Sequence, residues 1–306
     1  MKLSPDQIER LKQHLQARGD LLEPMEHAHF KVRRPGLTVA SYLSGTLVIQ
    51  GKLAQEFLEF ELYPEVLQTH GPAQPEPSEA HIGSDESGKG DFFGPLVVCA
   101  AAAQASDIGK LAALGVRDSK SLTDPQAHSL ATKIRAQLKT KVVVIRPERY
   151  NALYYKSGNL NLLLAQAHAH VIGALAHECS VAYALVDQFA YPHVLQNEAR
   201  RAGLTLEIRQ RTKAESDPVV AAASIVARAT FLQELERCGT AVGLHLPKGA
   251  SNRVLEAARE LASRLGPEAL KRVCKLHFKS LDQVVGSAQA AALRESCKAR
   301  PAETHS

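Results

Sequence analysis

No stretch of this chain is both long enough and free enough of charge to cross a bilayer as a helix. The first residues, Met1-Lys2-Leu3-Ser4, lack the apolar core of a secretory signal. Both absences predict a cytoplasmic protein with no membrane partner. Cysteine is sparse: Cys99, Cys179, Cys238, Cys274 and Cys297 are odd in number, widely spaced and without a Cys-x-x-Cys pair. That excludes a disulfide framework and a cysteine zinc site, and it reads as reduced cytosolic thiols. The histidines do not supply a zinc site either. His168 and His170 stand two apart and face differently on a helix, His177 is further on, and no His-Glu-x-x-His occurs.

What is present is concentrated in Gly83-Ser84-Asp85-Glu86-Ser87-Gly88-Lys89-Gly90-Asp91. Two adjacent carboxylates attract divalent metal ions, while glycines flanking a lysine suit a phosphate or ribose backbone. Together they point to an enzyme that cuts a nucleic-acid backbone with metal ions. The run also imitates a P-loop, GxxxxGK[ST], but Gly90 lacks the hydroxyl that would bind magnesium. Asp85 and Glu86 would also repel the phosphates, and Asp91-Phe92-Phe93-Gly94-Pro95 is a poor helix start. A nucleotide triphosphatase is rejected on those grounds.

The length of 306 residues predicts two domains. Three prolines within residues 70–80 resist helix and sheet, so the boundary is set there: an N-terminal domain over 1–69, a linker over 70–80 and a second domain over 81–306. Charge differs across that boundary. Residues 1–80 hold 8 Lys/Arg against 11 Asp/Glu, a net of −3; residues 81–306 hold 29 against 21, a net of +8. A net basic domain that also needs acidic residues for metal fits a polyanionic substrate.

In the first domain Ser4-Pro5-Asp6-Gln7 predicts a capped helix, with Ile8, Leu11 and Leu15 at helical spacing and Gly19 closing it. Strands are expected over 29–33, 37–43 and 46–50, with a tight turn at Ser44-Gly45 and a second helix from Leu53 that includes Phe57 and Phe60. The free face of that sheet offers Lys31, Arg33 and Arg34 for phosphate, with Tyr42 as a stacking surface. The second domain alternates strands and helices, which predicts α/β with a central mixed sheet. Strands are expected at the end of the Ser84 run and over 96–103, 142–145, 181–186 and 205–210, with helices over 124–138, 160–177 and 219–235. Residues 287–306 carry no pattern that assigns them.

Asp187 ends an apolar strand, where open α/β sheets place their sites. Glu215 and Asp217 precede the helix from Val219, where a helix dipole alone favours carboxylates. Asp85 and Glu86 point to opposite faces if they share a strand, so one enters the core unless the strand ends or bends there. Carboxylates from separate strand ends can hold two cations about 3.5–4 Å apart, one at the attacking water and one at the leaving oxygen.

The same residues resemble a known family. Asp85 to Pro95, Asp118-Ser119-Lys120-Ser121-Leu122, Asp187, Thr212-Lys213-Ala214-Glu215-Ser216 and Ala221-Ala222-Ala223-Ser224 occur in the order of type 2 ribonucleases H. The chain over roughly 1–285 is similar to bacterial ribonuclease HIII. Tyr42-x-Ser44-Gly45, Gln50-Gly51-Lys52 and Lys275-Leu276-His277-Phe278 set it apart from ribonuclease HII, as does Glu215 where HII has Asp. The resemblance implies an RNase H-like catalytic domain after an N-terminal substrate-binding domain of TATA-binding-protein-like fold. It implies cleavage of the RNA strand of RNA/DNA hybrids with Mg²⁺ or Mn²⁺, leaving 5′-phosphate and 3′-hydroxyl ends. Asp85, Glu86, Asp187 and Glu215 would be the catalytic metal ligands, with Asp217 as an alternative fourth. Gly88, Lys89 and Gly90 would read ribose 2′-hydroxyls through the backbone, and Lys120 and Ser224 would contact phosphate. No protein partner is implied, and a monomer is the default. The alternatives are an HII-like enzyme that also cuts at single embedded ribonucleotides, and a non-catalytic hybrid-binding protein.

Overall fold

The computed structural model describes residues 2–51, 53–67, 79–116, 119 and 122–298. The chain forms two units, residues 1–74 and 75–306. Of the proline-rich stretch expected as a linker, residues 70–78 lie outside the described residues.

In the first unit, helix α1 (Pro5–Ala17) starts on the expected capping box: the Ser4 hydroxyl accepts from the Gln7 amide, and the Gln7 side chain accepts from the Ser4 amide. Strands β1 (Ala28–Arg34), β2 (Leu37–Tyr42) and β3 (Leu47–Gln50) form an antiparallel sheet in that order. The β2–β3 turn needs Gly45, whose φ is +78°. Helix α2 (Ala54–Phe57) continues over Leu58–Val66 in wider turns whose amides bond five residues back. Ile8, Leu11 and Leu15 of α1 pack on Phe30, Val32, Val39 and Leu47, with Phe57, Leu62 and Val66 closing the core.

The period of two on β1 then decides which cations are available. Phe30 and Val32 are buried, so Lys31 and Arg33 turn to the other face, where they oppose Ala40 and Thr38. Tyr42 shares that face. Arg34 does not: it falls on the inner side and is taken by Asp20 and Glu61, with Nε to Asp20 Oδ1 at 2.6 Å and Nη1 to Glu61 Oε1 at 2.6 Å. The expectation that Arg34 joins the free basic face is therefore corrected.

The second unit is built on strands β4 (His81–Ser87), β5 (Leu96–Ala103), β6 (Lys139–Ile145), β7 (Tyr183–Asp187) and β8 (Glu207–Arg211). Their order is β6-β5-β4-β7-β8; β4–β7 and β7–β8 are parallel and the other pairs antiparallel, which makes the expected mixed sheet. Around it run α3 (Ala105–Ala113), α4 (Asp124–Gln137), α5 (Pro147–Ser157), α6 (Leu160–Ala176), α7 (Pro192–Arg201), α8 (Pro218–Val242), α9 (Asn252–Leu265), α10 (Leu270–Val273), α11 (Ser280–Val285) and α12 (Ser287–Lys298).

All of β5 is buried because both sheet faces are covered. Leu96, Val98 and Ala100 join the core under α6, while Val97, Cys99 and Ala101 join the core under α8. Gly83 lets α8 sit close on β4, since a Cβ there would lie 2.4 Å from the Val219 carbonyl carbon and the Val220 nitrogen. Helix α8 runs past the expected end at Leu235 until Gly243 stops it at φ +65°. By length and composition this helix is apolar enough to cross a membrane, which corrects the expectation that no stretch is, yet 78 % of its apolar window is buried within the unit. The unassigned tail contains α12, held by Ala290, Leu293 and Cys297 at helical spacing.

Candidate active site

Asp85 and Glu86 come from an unbroken strand. The β4–β5 ladder continues through Asp85↔Cys99, Glu86↔Val98 and Ser87↔Val97, and the chain turns only at Gly88. The strand thus neither ends nor bends at the carboxylates, and the two side chains straddle the sheet. Glu86 shares the α6 face with Ile82 and Ser84, and Asp85 shares the α8 face with Gly83. Each is accommodated by a polar residue of the covering helix. On the α6 face the fully buried His168 places Nε2 3.2 Å from Glu86 Oε2 and Nδ1 2.8 Å from Ser84 Oγ. On the α8 face Asp85 is held by Ser224, and by the Glu86 amide at 2.7 Å.

Asp187 joins them through strand register. β4 and β7 pair in parallel up to Ser84↔Val186, so Asp187 emerges level with Asp85. Its Oδ1 accepts from the Ala214 amide at 2.8 Å, and its carboxyl shares a hydrogen bond with Glu215. That turn depends on Lys213 at φ +56°, after which Ala214–Ser216 form a short 3₁₀ turn. Asp217 points elsewhere. Its Oδ1 caps α8 through the Val219 and Val220 amides at 2.8 and 3.1 Å, and meets His81, four residues upstream of Asp85, at 3.1 Å.

The electrostatics follow from this crowding. Burial, with the charges of Glu86 and Asp187, raises Asp85 well above the usual carboxylate range. Burial also pushes Asp187 up to about 7, helped by Glu215 and Glu86 and opposed by the Ala214 amide. Glu86 goes the other way: burial would raise it, but His168 and Lys89 bring it below its ordinary value. The Ser84 hydroxyl donates its proton to the Cys99 carbonyl at 2.9 Å, so His168 Nδ1 must donate to Ser84. Its Nε2 faces the Glu86 carboxylate, so the ring bridges Ser84 and Glu86. Lys89 Nζ places a positive charge 3.4 Å from Glu86 Oε1 and lies over the Phe189 ring.

Gly88 and Gly90 serve different ends. Gly88 sits at φ +89°, and a Cβ there would lie 2.2 Å from the Pro95 carbonyl, so it is needed to make the turn. Gly90 meets nothing within 4 Å and leaves room for a ligand to approach the backbone. Both line a cleft of about 380 Å³ with Asp85, Glu86, Lys89 and Asp187. Ser224 is also there, but its hydroxyl is buried and bonded to Ser119 Oγ at 2.9 Å. Lys120 lies outside the described residues. The sequence reading missed Arg228 and Lys248, cations of this cleft that share Asp124 at 2.8 and 2.6 Å, and it dismissed His168 with the zinc hypothesis. Among the described residues no three His, Cys, Asp or Glu side chains form a cluster that could hold a metal ion as placed. Asp85, Glu86 and Asp187 are instead each turned to a hydrogen-bond partner of the protein.

Residues 82–281 match the family model described as ribonuclease HII, and residues 1–68 match one for a domain of unknown function. The chain is 41 % identical over 281 residues to ribonuclease HIII of Protochlamydia amoebophila, covering 91 % of this chain and 93 % of that one. It is 42 % identical over 292 residues to ribonuclease HIII of Chlamydia trachomatis serovar L2, covering 94 % and 97 %. Among solved structures it is similar to Bst-RNase HIII in complex with Mn²⁺, with a TM-score of 0.64, 30 % identity and coverage of 97 % and 98 %. It is also similar to Aquifex aeolicus RNase H3, with a TM-score of 0.56, 31 % identity and coverage of 91 % and 99 %. A mixed sheet that gathers these carboxylates, joined to likeness along nearly the whole chain, leads to one conclusion: the chain belongs to the ribonuclease HIII family of type 2 ribonucleases H.

Proposed function

We propose that this protein hydrolyses the RNA strand of RNA/DNA hybrids, using divalent cations held by Asp85, Glu86, Asp187 and Glu215. The observation that carries the reading is that Asp85, Glu86 and Asp187 line one cleft with Gly88-Lys89-Gly90, with Glu215 hydrogen-bonded to Asp187. A pure binding protein gains nothing from negative charge facing phosphate. The donor set fits Mg²⁺ or Mn²⁺: all are hard oxygen ligands, and the raised Asp85 and Asp187 mark a site short of positive charge. When bound, the ions supply the charge that activates the attacking water and stabilises the leaving 3′-oxygen.

The chain's own residues do the rest. His168 and Lys89 orient Glu86, and the Ala214 amide orients Asp187. The open backbone at Gly90 admits a ribose 2′-hydroxyl, the group that distinguishes RNA from DNA. Lys89, Lys120, Arg228 and Lys248 offset the phosphate charge, and Ser224, bonded to Ser119 and Asp85, acts on phosphate only if it exchanges a partner. In the first unit Lys31, Arg33 and Tyr42 contact the hybrid from a sheet face of TATA-binding-protein-like type. The protein acts as a monomer, without an obligate protein partner, and its thiols suit the reducing cytoplasm.

A labelled RNA/DNA hybrid incubated with Mg²⁺ or Mn²⁺ tests this. The expected products are RNA fragments with 5′-phosphate and 3′-hydroxyl ends. Hybrid binding without cleavage under either metal would instead establish the binding-protein alternative.

A further inference from the structure

Lys275 is fully buried, at 0 % exposure, where lysine is seldom found without a partner. Its ammonium donates to three main-chain carbonyls: Asp91 at 2.8 Å, Phe93 at 3.2 Å and Gly94 at 2.7 Å. Three acceptors match the three N–H bonds of an ammonium group. The main chain around it holds the same segment, with the Lys275 amide donating to Phe92 O at 2.8 Å and the Gly94 amide to Val273 O at 2.8 Å. Asn151, itself buried, fixes both flanks: its Nδ2 donates to Cys274 O at 2.9 Å, and its Oδ1 accepts from the Leu276 amide at 2.9 Å. Phe278 lies edge-on to Phe92, with ring centroids 6.0 Å apart. From the opposite side Gly249 exchanges hydrogen bonds with Asp91 and Phe92, at 2.6 and 2.9 Å.

The segment held in this way, Asp91 to Gly94, is the outgoing stem of the Gly88-Lys89-Gly90 loop; β4 with Asp85 and Glu86 is the incoming stem. An apolar side chain would fill the same space without the desolvation cost of a charge. What it would not do is fix three carbonyl oxygens at set positions. Burial pushes the ammonium down to about 7, with Asp91, Cys274 and Cys238 nearby favouring the charged form. The three carbonyl acceptors favour it as well.

We propose that Lys275 is a positioning residue for substrate recognition, setting the Gly88–Gly90 loop where its backbone meets the RNA strand. This rests on the hybrid-nuclease reading, and it gives the Lys275-Leu276-His277-Phe278 motif a task. The test is Lys275→Met, close in length and lacking all three donors. KM for the hybrid is expected to rise about tenfold with kcat changed by less than about twofold, the signature of lost uniform binding. The Mn²⁺ concentration for half-maximal activity should move by less than about twofold, because the Glu86 amide at Asp85, His168 at Glu86 and the Ala214 amide at Asp187 all lie outside the loop. Amide hydrogen exchange over residues 88–94 should quicken by at least about tenfold while β7 stays protected.

A folded Lys275→Met protein with wild-type KM and wild-type exchange in that loop would overturn the proposal. If the variant loses its cooperative thermal transition, the wild-type protein decides. Lysine-labelled ¹⁵N NMR should show one slowly exchanging, hydrogen-bonded ammonium resonance at pH 6, and its absence would overturn the proposal equally. Failure of the wild-type protein to cut hybrid would remove the nuclease reading. The exchange comparison would still say whether Lys275 holds the loop.

Discussion

His168 was met in the sequence as one of three histidines on a helix, yet it holds Glu86 from 82 positions away. A group that orients a metal-ligating carboxylate typically alters metal affinity by about 10–100-fold when removed. His168→Ala should therefore weaken Mn²⁺ binding by that order in calorimetry on the isolated protein, and His168→Gln should recover part of it. Equal Mn²⁺ affinity in wild type and His168→Ala would show that Glu86 needs no such support. The contrast with Asp85 and Glu86 explains what was readable. Adjacent carboxylates beside Gly88-Lys89-Gly90 announce themselves within nine residues, and Asp187 does so by closing an apolar strand. His168, Arg228 and Lys248 carry no local signal, and the motif that contains Lys275 does not reveal its task, because their partners arrive only when distant elements pack. Arg34 was misplaced for a simpler reason: two arginines in succession on a strand face opposite ways, and only Arg33 faces out.

Helix α8 and strand β4 form the element pair on which the site depends. A methyl group at Gly83 would meet the α8 backbone, so Gly83→Ala should cost about 1–3 kcal/mol or more of stability, read from urea unfolding. The cap at the start of α8 brings a pH dependence. Burial alone would lower His81, but Asp217 raises it above its ordinary value, and His81 in turn brings Asp217 below its own despite burial. The His81 contribution is complete below about pH 6.5 and is lost as pH rises through its raised pKa; the Asp217 contribution is complete above about pH 4 and is lost on acidification. His81→Phe, which keeps a ring against Tyr183, should therefore destabilise the protein more at pH 6 than at pH 8.5. A stability difference that does not change between those two pH values would rule out the charged pair. Most elements were legible from capping and periodicity, including α1, α6 and β5. The length of α8 was not, because small residues blur its apolar pattern, and α12 was not, because two of its three buried side chains, Ala290 and Cys297, are small.

At the scale of the whole molecule, charge is divided unevenly. The N-terminal 80 residues are net acidic, yet Lys31 and Arg33 are turned outward together on one sheet face. If that face touches the hybrid, Lys31→Ala with Arg33→Ala should raise KM several-fold at low salt, flatten its salt dependence and leave kcat within about twofold. An unchanged KM and salt slope would move the contact elsewhere. The α/β class of the second unit was readable from the alternation of its elements. Substrate class was not readable from composition; it came from the motif order. On the ribonuclease HIII reading, a DNA duplex with one embedded ribonucleotide should be cut poorly, and efficient cutting on its 5′ side would overturn that specificity.

The central claim is that the gathered carboxylates perform the cleavage and do not merely line a binding cleft. Asp187→Asn keeps size and the capacity to accept from the Ala214 amide while removing the charge. Cleavage and binding of one labelled RNA/DNA hybrid, measured side by side in Mg²⁺ and Mn²⁺, test the claim most directly. The variant is expected to bind hybrid as the wild type does and to cut it at least about 10³-fold more slowly; cutting at the wild-type rate would show that Asp187 takes no part in the chemistry.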